Sequence, residues 1–166
     1  MENKLHSKWV LWIHARKDDW SLKGFLRVIE ITSIQEYWEF VEALQHSDII
    51  LYHIGLMRDG VTPIWEDPQN VNGGCWSFKV DTAHCFELFI KLGIFMVGEN
   101  IMWIDGENNS DNIMGLCMEP KNNFNYIIQL WNNDRNKCQI SYLPQHLIKN
   151  SNFGLETLYR SHKPEY

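Results

Sequence analysis

Short runs of aromatic, aliphatic and β-branched residues recur along this chain. Most are too close together for a helix to cross over between them, and that spacing favours strands paired antiparallel. Trp9-Val-Leu-Trp-Ile-His14, the alternating Phe25-Leu-Arg-Val-Ile-Glu-Ile31, and residues 49–57, 75–80 and 155–161 read as strands. Residues 113–120 and 126–132 read as a hairpin joined by Lys121-Asn-Asn-Phe-Asn125. Helical spacing is seen in three places. Ser33 and Glu36 have capping-box spacing ahead of Ile34, Tyr37, Trp38, Val41 and Leu44; residues 82–97 are mostly apolar but interrupted by Gly93; residues 141–150 form the third. Residues 99–112, with the apolar island Ile101-Met-Trp-Ile104, fit neither period. The reading is an α+β domain with a mainly antiparallel sheet.

With 166 residues, 45% of them hydrophobic and 22% charged, the expectation is a single domain spanning 1–166. A chain of this mass buries about 70% of its unfolded surface, so it needs no staple. Apolar content excludes intrinsic disorder, and no apolar run approaches the ~20 residues that cross a bilayer. Without a secretory signal or lipidation signature, the expected address is cytoplasmic or nuclear. Cys75, Cys85, Cys117 and Cys138 form no CxxC pair, and the histidines form no HExxH, so neither a metal nor a cofactor is expected.

A net charge of -6 argues against wrapping long duplex nucleic acid but leaves room for a local nucleotide pocket. Eight tryptophans are a surplus, and Trp20 and Trp65 stand in polar, turn-rich segments where a core role is hard to supply.

His6, Trp9-Val-Leu-Trp12, Trp20-Ser21, Tyr37-Trp38, Asp59-Gly60-Val-Thr-Pro63-Ile-Trp65-Glu66-Asp67, Asn70, Gly73-Gly74-Cys75-Trp76, Gly98-Glu99, Gly115 and Trp131 occur in a characteristic order and spacing. In this the chain resembles the eukaryotic translation initiation factor 4E family, which binds the mRNA 5′ cap. The resemblance covers almost the whole chain, and DGxxPxWED followed by NxxGGxW is its most specific part. It implies a curved sheet with about three helices on the convex face and the cap site on the concave side. It also implies that Trp20 and Trp65 sandwich 7-methylguanine, that Glu66 accepts hydrogen bonds from the guanine N1 and N2 groups, and that Trp131 lies near the methyl group.

Elementary chemistry agrees with those roles. Methylation at N7 leaves the base cationic, and a cation is drawn to the negative face of an indole. Stacking contributes about 1 to 3 kcal/mol per base, the cation–π term up to about 2, and a charged hydrogen bond about 1.5 to 3. The sum reaches micromolar binding, about -8 kcal/mol. The carboxylate selects guanine, which offers two adjacent donors where adenine offers an acceptor.

The family's phosphate-binding cations are where the sequence departs. Cys75 stands where family members carry an arginine, and Lys121 is the only basic residue left of a basic cluster. A lysine is a point charge without the arginine fork. Arg160 and Lys163, in Tyr159-Arg-Ser-His-Lys163, are the expected substitutes, and the rearrangement suits a divergent member, of a kind a virus or protist could carry.

A second surface is implied by the same resemblance. Trp38, with His6, Ile34 and Gly98, corresponds to the patch that receives the Tyr-x4-Leu-hydrophobic helix of scaffold and repressor proteins. Lys91 stands where the family has an acidic residue beside that patch. Expected partners are therefore capped mRNA and such a scaffold or repressor, with no membrane, for a monomer. The expected function is that of a cap-binding translation initiation factor without catalytic activity; the alternative is a same-fold competitor or repressor with weak cap binding. An enzymatic reading would need Cys75 as nucleophile with His84 or His146 as base, and a cysteine opening a strand lacks the helix N-terminus that would activate it.

Overall fold

The first strand, β1 (Lys4–His14), turns through a 3₁₀ segment at Leu22–Gly24 and returns as β2 (Phe25–Ser33). The structure, a computed structural model, describes residues 3–149 and 156–164. The expected strand start at Leu155 and helix end at Asn150 lie outside the described residues. After β2 come α1 (Ile34–Gln45), β3 (Ile54–Arg58), β4 (Gly74–Asp81), α2 (Cys85–Val97), the two-residue strands β5 (Trp103–Ile104) and β6 (Glu107–Asn108), β7 (Ile113–Pro120), β8 (Asn125–Asn132), α3 (Gln145–Ile148) and β9 (Glu156–Ser161). Seven strands form one curved sheet in the order β2-β1-β3-β7-β8-β4-β9, each antiparallel to its neighbour.

Strict alternation sorts the side chains of this sheet. Trp9 and Leu11 of β1, Ile54 and Leu56 of β3, Trp76 and Phe78 of β4, Leu116 and Met118 of β7 and Ile128 and Leu130 of β8 all join the core beneath the helices. The other, concave face carries a much smaller cluster of Met57, Val61, Cys75, Met114, Cys117 and Trp131, with Trp12 packed against it.

The helices form where the sequence signals them. Ser33 Oγ accepts from the Glu36 amide at 3.1 Å while the Glu36 carboxylate accepts from Ser33 N–H at 3.2 Å and Thr32 N–H at 2.6 Å, a complete capping box. Helix α1 then buries Tyr37, Phe40, Val41 and Leu44, each worth about 1.5 to 3 kcal/mol if fully withdrawn from water. Gly93 does not interrupt α2. It admits Tyr37, whose hydroxyl donates to the Ile90 carbonyl at 2.9 Å and would stand 2.4 Å from any Cβ built on Gly93.

Other expectations need correction. Residues 49–57 are not one strand: Asp48–Leu51 is a 3₁₀ turn, with Ser47 Oγ accepting from the Ile49 amide, and pairing begins at Ile54. The expected helix over 141–150 is a 3₁₀ turn at Ile140–Tyr142 followed by the four residues of α3, because Pro144 forces extended backbone on Leu143 and can only start a helix. Residues 99–112 form the small β5–β6 hairpin on Asp105-Gly106, both at positive φ, as a tight turn of this kind requires. That hairpin carries Trp103 outward, 45% exposed with its Nε1 donating to Asn100.

Candidate functional site

On the concave face, two loops, the residue before β3 and strands β7 and β8 enclose a cleft of about 370 Å³. The three indoles of Trp20, Trp65 and Trp131 line it, together with the carboxylates of Asp18, Glu66 and Glu119. His53 and Gln129, with Pro63 and Ile64, complete the wall. Its size and mixture of aromatic walls with a few polar groups are those of a small-molecule site.

Trp20 is fixed by its neighbours in sequence. Asp19 accepts from both the Ser21 amide, at 3.0 Å, and the Ser21 hydroxyl, at 2.6 Å, and these bonds hold its carboxyl below the usual range. The loop closes on Gly24, where a Cβ would stand 1.7 Å from the Asp19 carbonyl oxygen. Behind Trp20, the imidazole of His14 is stacked at 4.0 Å and 23°, with its Nε2 2.8 Å from that same carbonyl. A carbonyl can only accept, so Nε2 carries the proton. One face of the Trp20 ring is thus covered and the ring remains 54% exposed.

The Trp65-Glu66 loop is held by the polar residues around it. The buried Asp67 carboxylate accepts from the Thr62 amide at 2.8 Å, the Thr62 hydroxyl at 2.6 Å and the Gln69 amide at 2.8 Å. Fully buried Asn70 donates to the Thr62 and Ile64 carbonyls at 2.9 and 2.8 Å. His162 Nδ1 donates to the Asn70 carbonyl at 2.9 Å, and its ring lies 5.7 Å from Trp65 at 11° and 4.6 Å from Trp131 at 60°. Trp65 is therefore backed by one histidine as Trp20 is by another. Gly73 and Gly74 bring β8 and β9 close beneath this loop, since added Cβ atoms would meet the Asn132 and Arg160 carbonyl oxygens at 1.8 and 2.4 Å.

Trp131 is buried, its Nε1 donating to Gln129 at 3.2 Å. In the sheet register Arg160, Cys75, Trp131 and Gly115 lie opposite one another on successive strands. The position lacking an arginine, Cys75, therefore has Arg160 as its cross-strand neighbour on the same face. Lys121 and Lys163 are both exposed, and Lys121 is engaged by Glu119 at 2.6 Å.

Sequence reasoning missed Glu119 and His53, whose Nδ1 lies 3.2 Å from the Glu119 carboxylate. Burial alone would push the Glu119 carboxyl up, but the bonds from His53 and Lys121 outweigh it and bring it down to about 2. Burial pushes the Cys75 thiol up to about 11, and His146 packs on Phe95 while His84 is held by Asp81. A thiol kept protonated in this way is a poor nucleophile.

On the helical side Trp38 and Ile34 are exposed at 47% and 46%, with Ile94 of α2 at 37%. The Tyr37–Ile90 bond packs α1 against α2. The Ile34 amide donates to the Asn3 carbonyl at the start of β1, and Arg58 reaches Ser7 Oγ at 2.9 Å while gripping Glu99, next to Gly98. Exposed His6 thus sits on a stretch of β1 tied to both helix ends.

The family model for Eukaryotic initiation factor 4E matches residues 4–165. Among curated proteins, the chain is 31% identical over 120 residues to eukaryotic translation initiation factor 4E of Candida glabrata, covering 66% of this chain and 56% of that protein. It is 32% identical over 118 residues to the Eremothecium gossypii protein of the same name, covering 66% and 55%. The aligned chain thus spans about half the length of these relatives. Similar solved structures include C. elegans eIF4E-3 with the 4E-binding protein Mextli and cap analog, at 20% identity and TM-score 0.76 over 100% of this chain and 99% of that one. Ascaris suum eIF4E-3 with m7G cap is similar at 22% identity and TM-score 0.77, over 98% and 93%. At these identities the structural likeness speaks to the fold.

Proposed function

Because the chain belongs to the eukaryotic initiation factor 4E family, we propose that it binds the 7-methylguanosine cap of mRNA as a translation initiation factor and catalyses no reaction itself. The observation that carries this is the pair of exposed indoles, Trp20 and Trp65, lining one cleft, each with its rear face covered by a histidine. A flat cationic base entering between them gains stacking on two faces and displaces water from both. Glu66 reads the guanine edge, and Trp131 closes the inner wall beside the methyl group. Phosphates trailing from the base meet Lys121, Arg160 and Lys163. The complexes of the two nematode proteins, with cap analog and with m7G cap, support the same ligand class.

The exposed patch of Trp38, Ile34, His6 and Gly98 receives an amphipathic helix of a scaffold or repressor protein, with Trp38 as anchor. The Mextli complex of the C. elegans protein supports a partner of that kind. The setting is the cytoplasm, with the protein acting as a monomer. The competing reading, a competitor or repressor that keeps this patch but binds the cap weakly, is favoured by the loss of phosphate-binding cations.

A tryptophan-fluorescence titration with 7-methylguanosine and guanosine nucleotides tests the proposal. Quenching by the methylated ligand at micromolar concentration, and not by the unmethylated one, is expected. Equal response to both, or to neither, overturns it. Retention on a 7-methylguanosine resin with release by the methylated nucleotide separates the initiation factor from the weakly binding competitor.

A further inference from the structure

The charge balance of the cleft is unusual for a nucleotide site. Its lining has three carboxylates, Asp18, Glu66 and Glu119, and among the described lining residues no lysine or arginine. One carboxylate is accounted for by a cationic base. Of the other two, Glu119 is paired with Lys121 and His53, and Asp18 adds negative charge to the lining. Lys121, the nearest cation by sequence to the cleft strands, is held at 2.6 Å by Glu119, which is itself 82% withdrawn from water and bonded to His53. A lysine whose charge is matched within the protein offers a phosphate little net attraction.

We propose that this cleft takes its ligand for the base and not for the phosphates, and that Glu119, by holding Lys121 in an ion pair, is the residue that sets this specificity. The ligand class favoured is a cationic, N7-alkylated purine with few or no phosphates attached; a triphosphate is accepted without large gain. The inference rests on the cap-binding reading above. Glu119 is well suited to a fixed role because it stays ionised over the whole physiological range. Arg160, across from Cys75 on the neighbouring strand, supplies the remaining attraction that keeps phosphates from being expelled.

The test is a titration series with 7-methylguanosine, its 5′-monophosphate and its 5′-triphosphate, at low and at raised salt, on the wild-type protein and on Glu119→Gln. From nucleoside to triphosphate the wild-type affinity should rise by less than about threefold, with little salt dependence, because opposing charges nearly cancel. In Glu119→Gln, with Lys121 released from its ion pair, the triphosphate should gain about tenfold over the nucleoside, and that gain should fall as salt is raised. Circular dichroism and a denaturant midpoint like those of wild type certify that the variant is folded, and the triphosphate-to-nucleoside ratio, not either affinity alone, is the readout. A wild-type gain well beyond tenfold overturns the inference and leaves cap binding standing, and this arm needs no variant. A phosphate response identical in Glu119→Gln and wild type removes Glu119 from the role. If no methylated ligand binds wild type at all, the cap-binding reading itself has failed.

Discussion

The two faces of the sheet are built from the same alternating strands and have opposite fates. Beneath the helices, Trp9, Trp76, Phe78 and Phe89 are fully buried, and each is replaceable only at the cost of a cavity. On the concave face, Trp20 and Trp65 stand in loops with one ring face backed by histidine and the other open. A tryptophan in the first setting stabilises the fold, whereas one in the second is positioned by the fold without being needed for it. The difference lies in polar anchoring. Asp19, Asp67, Asn70 and His162 hold the concave loops by hydrogen bonds, where the helical face adds the α1 capping box and the Tyr37–Ile90 bond to extensive apolar contact.

This contrast can be broken at either end. Trp76→Ala should lose about 3 to 5 kcal/mol of unfolding free energy, read by denaturant titration. Trp65→Ala and Trp20→Ala should change stability by only about 0.5 kcal/mol each. They should instead lose about 2 to 4 kcal/mol of cap affinity and abolish quenching by cap analogue. Were Trp65→Ala to unfold the protein, its loop would be part of the core and the division of faces would be wrong. Next in size is Glu66→Ala, expected to weaken cap binding about tenfold to a hundredfold, the loss of a charged hydrogen-bond pair. An unchanged dissociation constant would leave the base edge unread by this residue.

Trp38→Ala sharpens the comparison from the helical side, where its indole is exposed beside Ile34 and Ile94. It should leave cap affinity within experimental error and stability within about 0.5 kcal/mol, while weakening capture of a Tyr-x4-Leu-hydrophobic peptide. Loss of cap binding in a folded Trp38→Ala protein would mean that the two surfaces are coupled or misassigned.

How much of this was legible in the sequence depended on the range over which the signal acts. Ser33 and Glu36 lie within one turn of each other, and the capping box they announced is present. The hairpin of β7 and β8 and the residues of DGxxPxWED were equally local. Pro144 and the 3₁₀ turn before β3 were misread because an apolar run looks alike as a strand, a turn or a helix until its neighbours are known. Glu119 was missed for a different reason. It follows Cys117 by two residues on β7 and so shares the concave face, a fact that alternation could have supplied. Its pairing with His53 joins residues 66 apart, which only the sheet order brings together. The backing of Trp65 by His162 is likewise a product of β9 lying beside β4.

The smallest expected effect distinguishes the two faces by pH. His162 is buried, and burial holds its imidazole below its ordinary value of 6.5, with Arg135 adding to the effect and the Asn70 carbonyl and the Glu66 charge opposing it. Its Nδ1 proton is committed to Asn70, so a second proton must go to Nε2, which is buried with no hydrogen-bond partner among the described residues. The unfolded chain takes up that proton near pH 6.5 and the native protein resists it, so the unfolded state binds more protons and stability falls as pH drops through this value. Glu119 acts in the same direction but in a lower window, between its ordinary 4.5 and about 2. Denaturant midpoints measured between pH 7.5 and 5.5 should therefore decline in wild type, and less so in His162→Phe, which keeps a ring behind Trp65 but cannot titrate. Because His162 packs on Trp65 and Trp131, the near-ultraviolet signal of the cleft indoles should change at a higher pH than the far-ultraviolet signal of the helices. Coincident changes in both signals would mean that the concave loops and the core melt as one unit.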